Sequence, residues 1–359
     1  MIKSFKIQLP KLKIDWALGL LSAIPFAYPK EPFYWIVIAI FILGLYRFKL
    51  QARDSINVLL ALLLILLVAV VNLSNSIYTL SVFGTYLAII LLLFRYIVRS
   101  SEQFLHGFSF VTTIYALATF VMFIILRPYN NGLLMFINSD YRMWAEGYLI
   151  EWPNVFSAFL VIGGFIHILL KNRKTAFMHF SAAILTTSRT ALLAILIYAI
   201  FTLNKSKSRM KYIYAIVIIT TFAAVFLVYN QDDLFISFLY DRLIKTGDRG
   251  EIYNTLIESS LDNLFGIGNV PFEQIDDAYQ SYHSSFLKVL SRYGILGLLL
   301  YVFLTYPRGL IKNRSLEINM PIIFILLCGI VQDFMFHLHI TALYSVLLSH
   351  REKLMNKEC

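Results

Sequence analysis

Apolar and polar positions alternate along the chain on a coarse scale: long apolar runs, separated by short charged stretches, recur from residue 16 to residue 349. The runs 56–73, 77–94, 104–126, 152–170, 212–228 and 284–304 reach or approach the ~20 residues needed to cross the hydrocarbon of a bilayer. One such run is compatible with a buried helix of a soluble domain; so many in series are not. With the shorter runs included, twelve spans are predicted, at 14–28, 33–46, 56–73, 77–94, 104–126, 152–170, 175–187, 190–204, 212–228, 284–304, 318–335 and 337–349. The expected fold is an all-α integral membrane protein of about twelve transmembrane helices, a single polytopic domain over residues 1–359. The first two and last two spans are short, which leaves tilt, internal burial or a different division open for them.

Composition agrees with this reading. The chain is 59% hydrophobic and 14% charged, too little polar surface to cover a soluble core of this length. The formal charge of +10 raises a nucleic-acid partner as a question, and its distribution answers it. With both termini cytoplasmic, 22 of the 31 basic residues fall in the inside segments, and every inside segment is basic, as the positive-inside rule requires. No nucleic-acid partner is expected. Cys328 and Cys359 provide neither a disulfide framework nor a metal-ligand spacing. The basic start (Lys3, Lys6, Lys11, Lys13) precedes an apolar stretch ending in Pro25 and Pro29 with no small-residue cleavage site, so no cleaved signal peptide is expected.

Two outside segments exceed the length a connector needs. The first, 127–151, is rich in Asn and Tyr; the second, 229–283, carries ten acidic residues against three basic ones. Within the second, Ile252, Leu256 and Leu261 recur at helical spacing before Gly266 and Gly268, which predicts a short amphipathic helix along the outer membrane surface closed by a Gly-rich turn. Long ordered loops on a rigid scaffold commonly carry function.

Outside basic residues are informative because topology does not ask for them. Arg189 lies in SRTALL and Arg249 in GDRGEIY. Each can pair with a lipid headgroup or a loop carboxylate; together they can form a clamp, since guanidinium groups bind phosphate bidentately and stay charged. His283 stands immediately before a long apolar helix. It either hydrogen-bonds locally or serves as a general base, the positive helix end and nearby arginines favouring its neutral form. Asp333 and His337 are four residues apart and can share a helix face as a hydrogen-bonded pair, or touch substrate; with no further ligands near them they do not make a metal site. His106, His167 and His179 carry no readable signal.

These residues resemble bacterial O-antigen ligases and O-antigen polymerases. SRTALL resembles the Arg-x-x-x-Leu element of that superfamily. His283-Ser284, followed after nine residues by Gly294 and after two more by Gly297, is similar to its His-[Asn/Ser/Gln]-x9-Gly-x-x-[Gly/Thr/Tyr] element. GDRGEIYNTLIESSLDNLFGIGN resembles the segment holding a second important arginine and a Gly-x-Gly turn. The motifs cover about residues 181–304; the N-terminal half agrees in hydropathy alone.

The resemblance implies a GT-C-type glycosyltransferase with a large periplasmic loop containing short helices, in the bacterial inner membrane. Its donor would be a glycan on undecaprenyl pyrophosphate, presented at the periplasmic face. Arg189 and Arg249 would bind the pyrophosphate and His283 would activate the acceptor hydroxyl, with inversion and with no metal ion or other cofactor. Arg142 and Trp144, in the first outer loop, are candidate substrate contacts. A polymerase, extending one lipid-linked glycan with another repeat unit, is the reading preferred on the compact length and the look of the YHSSFLKVLSRYGILG and EWPNVF segments. A ligase, moving the glycan to lipid A-core, is the alternative. The implied partners are the lipid-linked donor, a glycan or lipid A-core acceptor, the bilayer and a chain-length regulator protein. A flippase for lipid-linked oligosaccharide would place more charge inside the spans, and a structural subunit would need no His/Arg constellation.

Overall fold

Among the described residues, helices form where the apolar runs predict them. A computed structural model of the protein describes residues 14–24, 39–40, 55–71, 94–126, 153–185, 257, 265–266, 284–306, 316–331 and 338–358. Its main elements are α1 (Ile14–Ala23), α2 (Ser55–Val71), α3 (Ser101–Leu126), α4 (Pro153–Leu169), α5 (Arg173–Leu185), α6 (Ser285–Thr305), α7 (Leu316–Val331) and α8 (Leu338–Glu358). There is no strand among the described residues. The predicted spans 33–46, 77–94, 190–204 and 212–228 lie outside the described residues, apart from helical residues 39–40 and Phe94.

α3 and α6 are long and apolar enough to cross a bilayer, over Ser101–Val121 and Ser285–Thr305. Their outward faces are greasy. Phe110, Ile114, Leu117 and Val121 on α3, Leu59, Leu62 and Leu66 on α2, and Leu299, Val302 and Phe303 on α6 are all exposed. Apolar area on this scale is stable only against another apolar medium, and lipid supplies it.

Among the described helices, α1 and α3 pack together most extensively. α1 buries Asp15, Leu18, Gly19, Ser22 and Ala23, a stripe at three- and four-residue spacing. A Cβ at Gly19 would run into the backbone of Phe104 and Phe108, and one at Gly107 into the backbone of Trp16 and Leu20. The two glycines let the helix backbones touch, the arrangement small residues allow between helices that lipid does not drive together. At one end of this pair the Asp15 carboxylate accepts from the amides of Arg99 (3.3 Å) and Ser100 (3.1 Å). Ser100 Oγ accepts from Gln103 N at 3.4 Å. A side-chain cap and a carboxylate thus meet the positive end of α3.

α4 and α5 form a tight antiparallel hairpin. Asn172 N donates to His167 O at 2.7 Å and Lys171 N to Ile168 O at 2.9 Å, closing α4 as its chain reverses. Lys171 takes the left-handed conformation there (φ 60°), a place glycine usually fills. Gly163 and Gly164 leave room for His179 and the Phe180 ring. The His167 and His179 rings lie 4.8 Å apart between centroids, tilted by 48°. His167 Nε2 pairs with Thr113 Oγ1 at 3.0 Å, and His179 Nε2 with Thr112 Oγ1 at 3.1 Å. These two histidines, silent in the sequence, bind α3, α4 and α5 together.

α4, α7 and α8 complete the centre, where Phe159 meets the buried His339 ring edge-on at 5.2 Å. α8 departs from expectation. The last span was predicted to end at residue 349, leaving Arg351 in a basic cytoplasmic tail; the helix continues to Glu358 and Arg351 is buried. Hydropathy falls there, but Arg, Glu, Lys, Leu and Met are all strong helix formers, and polar contacts hold this part of α8. His350 Nδ1 bonds Ser101 Oγ, Ser349 Oγ donates to Arg95 O at 3.4 Å, and Tyr344 OH donates to Thr305 O. The last of these satisfies a carbonyl at the C-terminal end of α6 that its own helix leaves open.

Candidate active site

The candidate site is built on α6, and the local sequence explains its start. Ser284 is the N-cap, in extended conformation (φ −141°, ψ 127°). Its Oγ accepts from Leu287 N at 3.3 Å and donates to Gly329 O at 3.5 Å, near the end of α7. The residue after His283 therefore fixes both where the helix begins and what it leans on. Ser is among the preferred N-cap residues because its hydroxyl accepts from an otherwise open amide of the first turn.

α6 is a broken helix. Gly294 has φ 66° and ψ −170° in the middle of it, a conformation closed to ordinary L-residues. The two halves differ in character. From Ser284 to Ser291 the buried positions are largely polar: Ser284, Ser285, Lys288 and Ser291. Beyond the break the helix is apolar, and Ile295, Leu296, Leu299, Val302 and Phe303 are exposed. Discontinuous membrane helices with a polar half are a recurring way of building a binding site inside a bundle.

The Gly-rich turn docks on this break. Gly266 is itself left-handed (φ 77°), and a Cβ there would lie 2.5 Å from the carbonyl carbon and oxygen of Arg292 and from the Gly294 nitrogen. Gly294 is the tenth residue of α6, about 14 Å along the axis from its start. The turn therefore meets α6 well along its length, not at its first turn. Of the preceding amphipathic helix only Ile257 is described, helical and exposed.

Two of the three sequence elements are thus in contact through their glycines. All the residues proposed for chemistry, His283, Arg189, Arg249, Arg142, Trp144, Asp333 and His337, lie outside the described residues. Most of the loop 229–283 and all of 127–151 do as well. Among the described residues no group of three His, Cys, Asp or Glu side chains stands ready to hold a metal ion. One buried charge on α6 escaped the sequence reading. Lys288 is only 7% exposed within an apolar spanning helix, where a charge is rare and marks function by default.

The described residues form a helical bundle with lipid-compatible faces and a broken, half-polar helix, the architecture of an integral membrane protein. Residues 175–302 match the family described as O-antigen ligase, so this stretch of the chain is similar to the O-antigen ligases. The match spans α5, α6 up to Val302, and everything between them, so it contains both the break and the turn that docks on it. No curated protein matches the chain.

Proposed function

We propose that the protein is a periplasmic-face glycosyltransferase that moves a glycan from undecaprenyl pyrophosphate to a glycan acceptor, acting as a repeat-unit polymerase for a surface polysaccharide. The observation that carries this reading is the seating of Gly266 on Arg292–Gly294. It brings the segment following Arg249 onto the helix that His283 precedes, as a shared site needs.

In the proposed reaction the acceptor hydroxyl attacks the anomeric carbon of the donor sugar opposite the leaving group. Its oxygen–carbon bond forms as the bond to the diphosphate breaks, and the configuration inverts. His283 takes the hydroxyl proton, an assistance worth typically ~10²–10⁴-fold. The electron pair departs with the diphosphate, whose charge Arg189 and Arg249 hold; preorganised donors of this kind commonly supply several kcal/mol. Arg142 and Trp144 contact the sugars, and Asp333 and His337 line the site. None of these steps calls on a metal ion.

The hydrogen bonds described above support the proposed topology, with both termini cytoplasmic. Asp15 with Arg99 and Ser100, Ser101 with His350, Ser349 with Arg95, and Tyr344 with Thr305 all join helix ends assigned to the inside. Ser284 with Gly329 joins two ends assigned to the outside.

The ligase reading stays beside the polymerase because the matched family is described as O-antigen ligase. Gene deletion separates them on a polysaccharide gel. A single repeat on the core supports the polymerase. Bare core with lipid-linked polymer retained supports the ligase. Loss of periplasmic intermediates overturns both in favour of a flippase. His283→Ala and Arg189→Ala should abolish transfer with normal membrane insertion; full activity in either removes that residue from the site.

A further inference from the structure

The break at Gly294 accounts for a second glycine, Gly297, one turn further along α6. In an unbroken helix the Cβ atoms of residues four apart stand about 5–6 Å from one another. Alanine would then serve at position 297 better than glycine, which weakens a helix interior. With the positive φ of Gly294 between them, that spacing is gone: a Cβ on Gly297 would fall on the Cβ of Tyr293. Its next neighbours would be Leu67 Cδ2 of α2 at 3.4 Å and Tyr293 Cγ at 3.5 Å, both ordinary contacts. Tyr293 and Gly297 are both buried. The side chain missing at Gly297 is the seat that the Tyr293 Cβ fills.

The two halves of α6 are held by different neighbours. Ser284 Oγ reaches Gly329 O of α7 at the start of the first half, and Tyr344 OH of α8 reaches Thr305 O at the end of the second. Glycine itself permits many angles at the break. The angle is set by what packs across it, which is Tyr293 against Gly297 within the helix and Gly266 against Arg292 and Gly294 from the turn. The first half is about 14 Å long, so a change of about 20° at the break carries its start about 5 Å. A misplacement of about 1 Å can already cost on the order of 10²-fold in rate.

We propose that Gly297 is a positioning residue for glycan transfer: by seating Tyr293 it fixes the angle at the Gly294 break, and with it the placement of His283, which joins the start of α6. This rests on the glycosyltransferase reading above. Gly297 touches neither donor nor acceptor; it acts through Tyr293 and the first half of α6.

A double-mutant cycle tests this, with transfer from an undecaprenyl-diphosphate-linked oligosaccharide measured on full-length protein in nanodiscs. Gly297→Ala should lower kcat by about tenfold or more, leave the donor KM within about twofold, and displace the pH dependence of kcat, which reports the base. Tyr293→Gly removes the atom in the way, so adding Gly297→Ala to it should change kcat by less than about twofold. Equal losses from Gly297→Ala in both backgrounds overturn the proposal, because the methyl group then acts without Tyr293. Wild-type kcat in Gly297→Ala overturns it too, as does an undisplaced pH profile or a loss that vanishes on normalising to folded protein. Should Gly297→Ala alone not assemble, the double variant is read against Tyr293→Gly: matching rates support the seat, and a further loss of about tenfold overturns it. Should Tyr293→Gly be too slow to measure, hydrogen exchange of the 284–293 amides decides; faster exchange in Gly297→Ala than in wild type supports the proposal, and unchanged exchange overturns it. Wild-type protein that transfers no glycan overturns the glycosyltransferase reading and this proposal with it.

Discussion

Gly266 sits against the backbone of Gly294, each in a left-handed conformation, with no room between them for a methyl group. Gly266→Ala adds a Cβ into that contact and forces a left-handed alanine, which costs about 1–2 kcal/mol. Transfer should fall at least severalfold while the protein still inserts and accumulates, because the fault lies in how the turn seats. A transfer assay normalised to protein level in isolated membranes reads this out; unchanged transfer would show that the docking does not matter to catalysis.

Ser284 links a cap to a neighbouring helix, so its replacements should sort by capping ability. Ser284→Ala removes the acceptor for Leu287 N and should destabilise the start of α6 by about 1 kcal/mol. Ser284→Asn should retain stability and most of the transfer rate. Thermal unfolding and transfer, measured on the same preparations, should move together across the pair.

The α1–α3 contact is sensitive to side-chain size. Gly107→Leu should force the helices apart and lower stability by about 1–3 kcal/mol, the usual range for overpacking. Asp15→Ala removes the carboxylate that receives the amides of Arg99 and Ser100 and should lower stability as well. Thermal midpoints in detergent measure both, and a Gly107→Leu protein as stable as wild type would contradict the close approach.

At Lys171 the expected sign is the opposite. It is a non-glycine residue with φ 60°, a conformation that costs about 1 kcal/mol or more. Lys171→Gly should therefore raise the thermal midpoint by a few degrees. A lowered midpoint would mean that the lysine side chain contributes more than its backbone strain removes.

Hydropathy located the helices well because a bilayer demands a minimum apolar length. The predicted span 284–304 is observed as Ser285–Thr305, and 152–170 as Pro153–Leu169. The same signal was blind to the break in α6. Glycine is common in membrane helices, and nothing in its spacing declares a positive φ at Gly294 rather than a close helix contact of the kind seen at Gly107. The end of α8 was set too early, at residue 349 instead of Glu358, because charge marks the end of a hydrophobic run, not the end of a helix. Lys288 was passed over because charge counting asks which loop a cation belongs to, whereas burial asks what it faces. The pairing of His167 with His179 depends on three helices meeting, and no pattern within one of them announces it.

Asp15 and Ser100 lie 85 residues apart and still share a hydrogen bond, which bears on how the protein is made. α1 has ten residues, about 15 Å of helix, with a carboxylate at one end and a glycine seam along its side. It leaves the ribosome long before α3 exists to receive either. A nascent chain arrested between them would present to the translocon and to membrane proteases a first helix that lacks its docking surface. Until α3 is made, α1 lacks the partner that its carboxylate and glycine seam meet in the folded bundle.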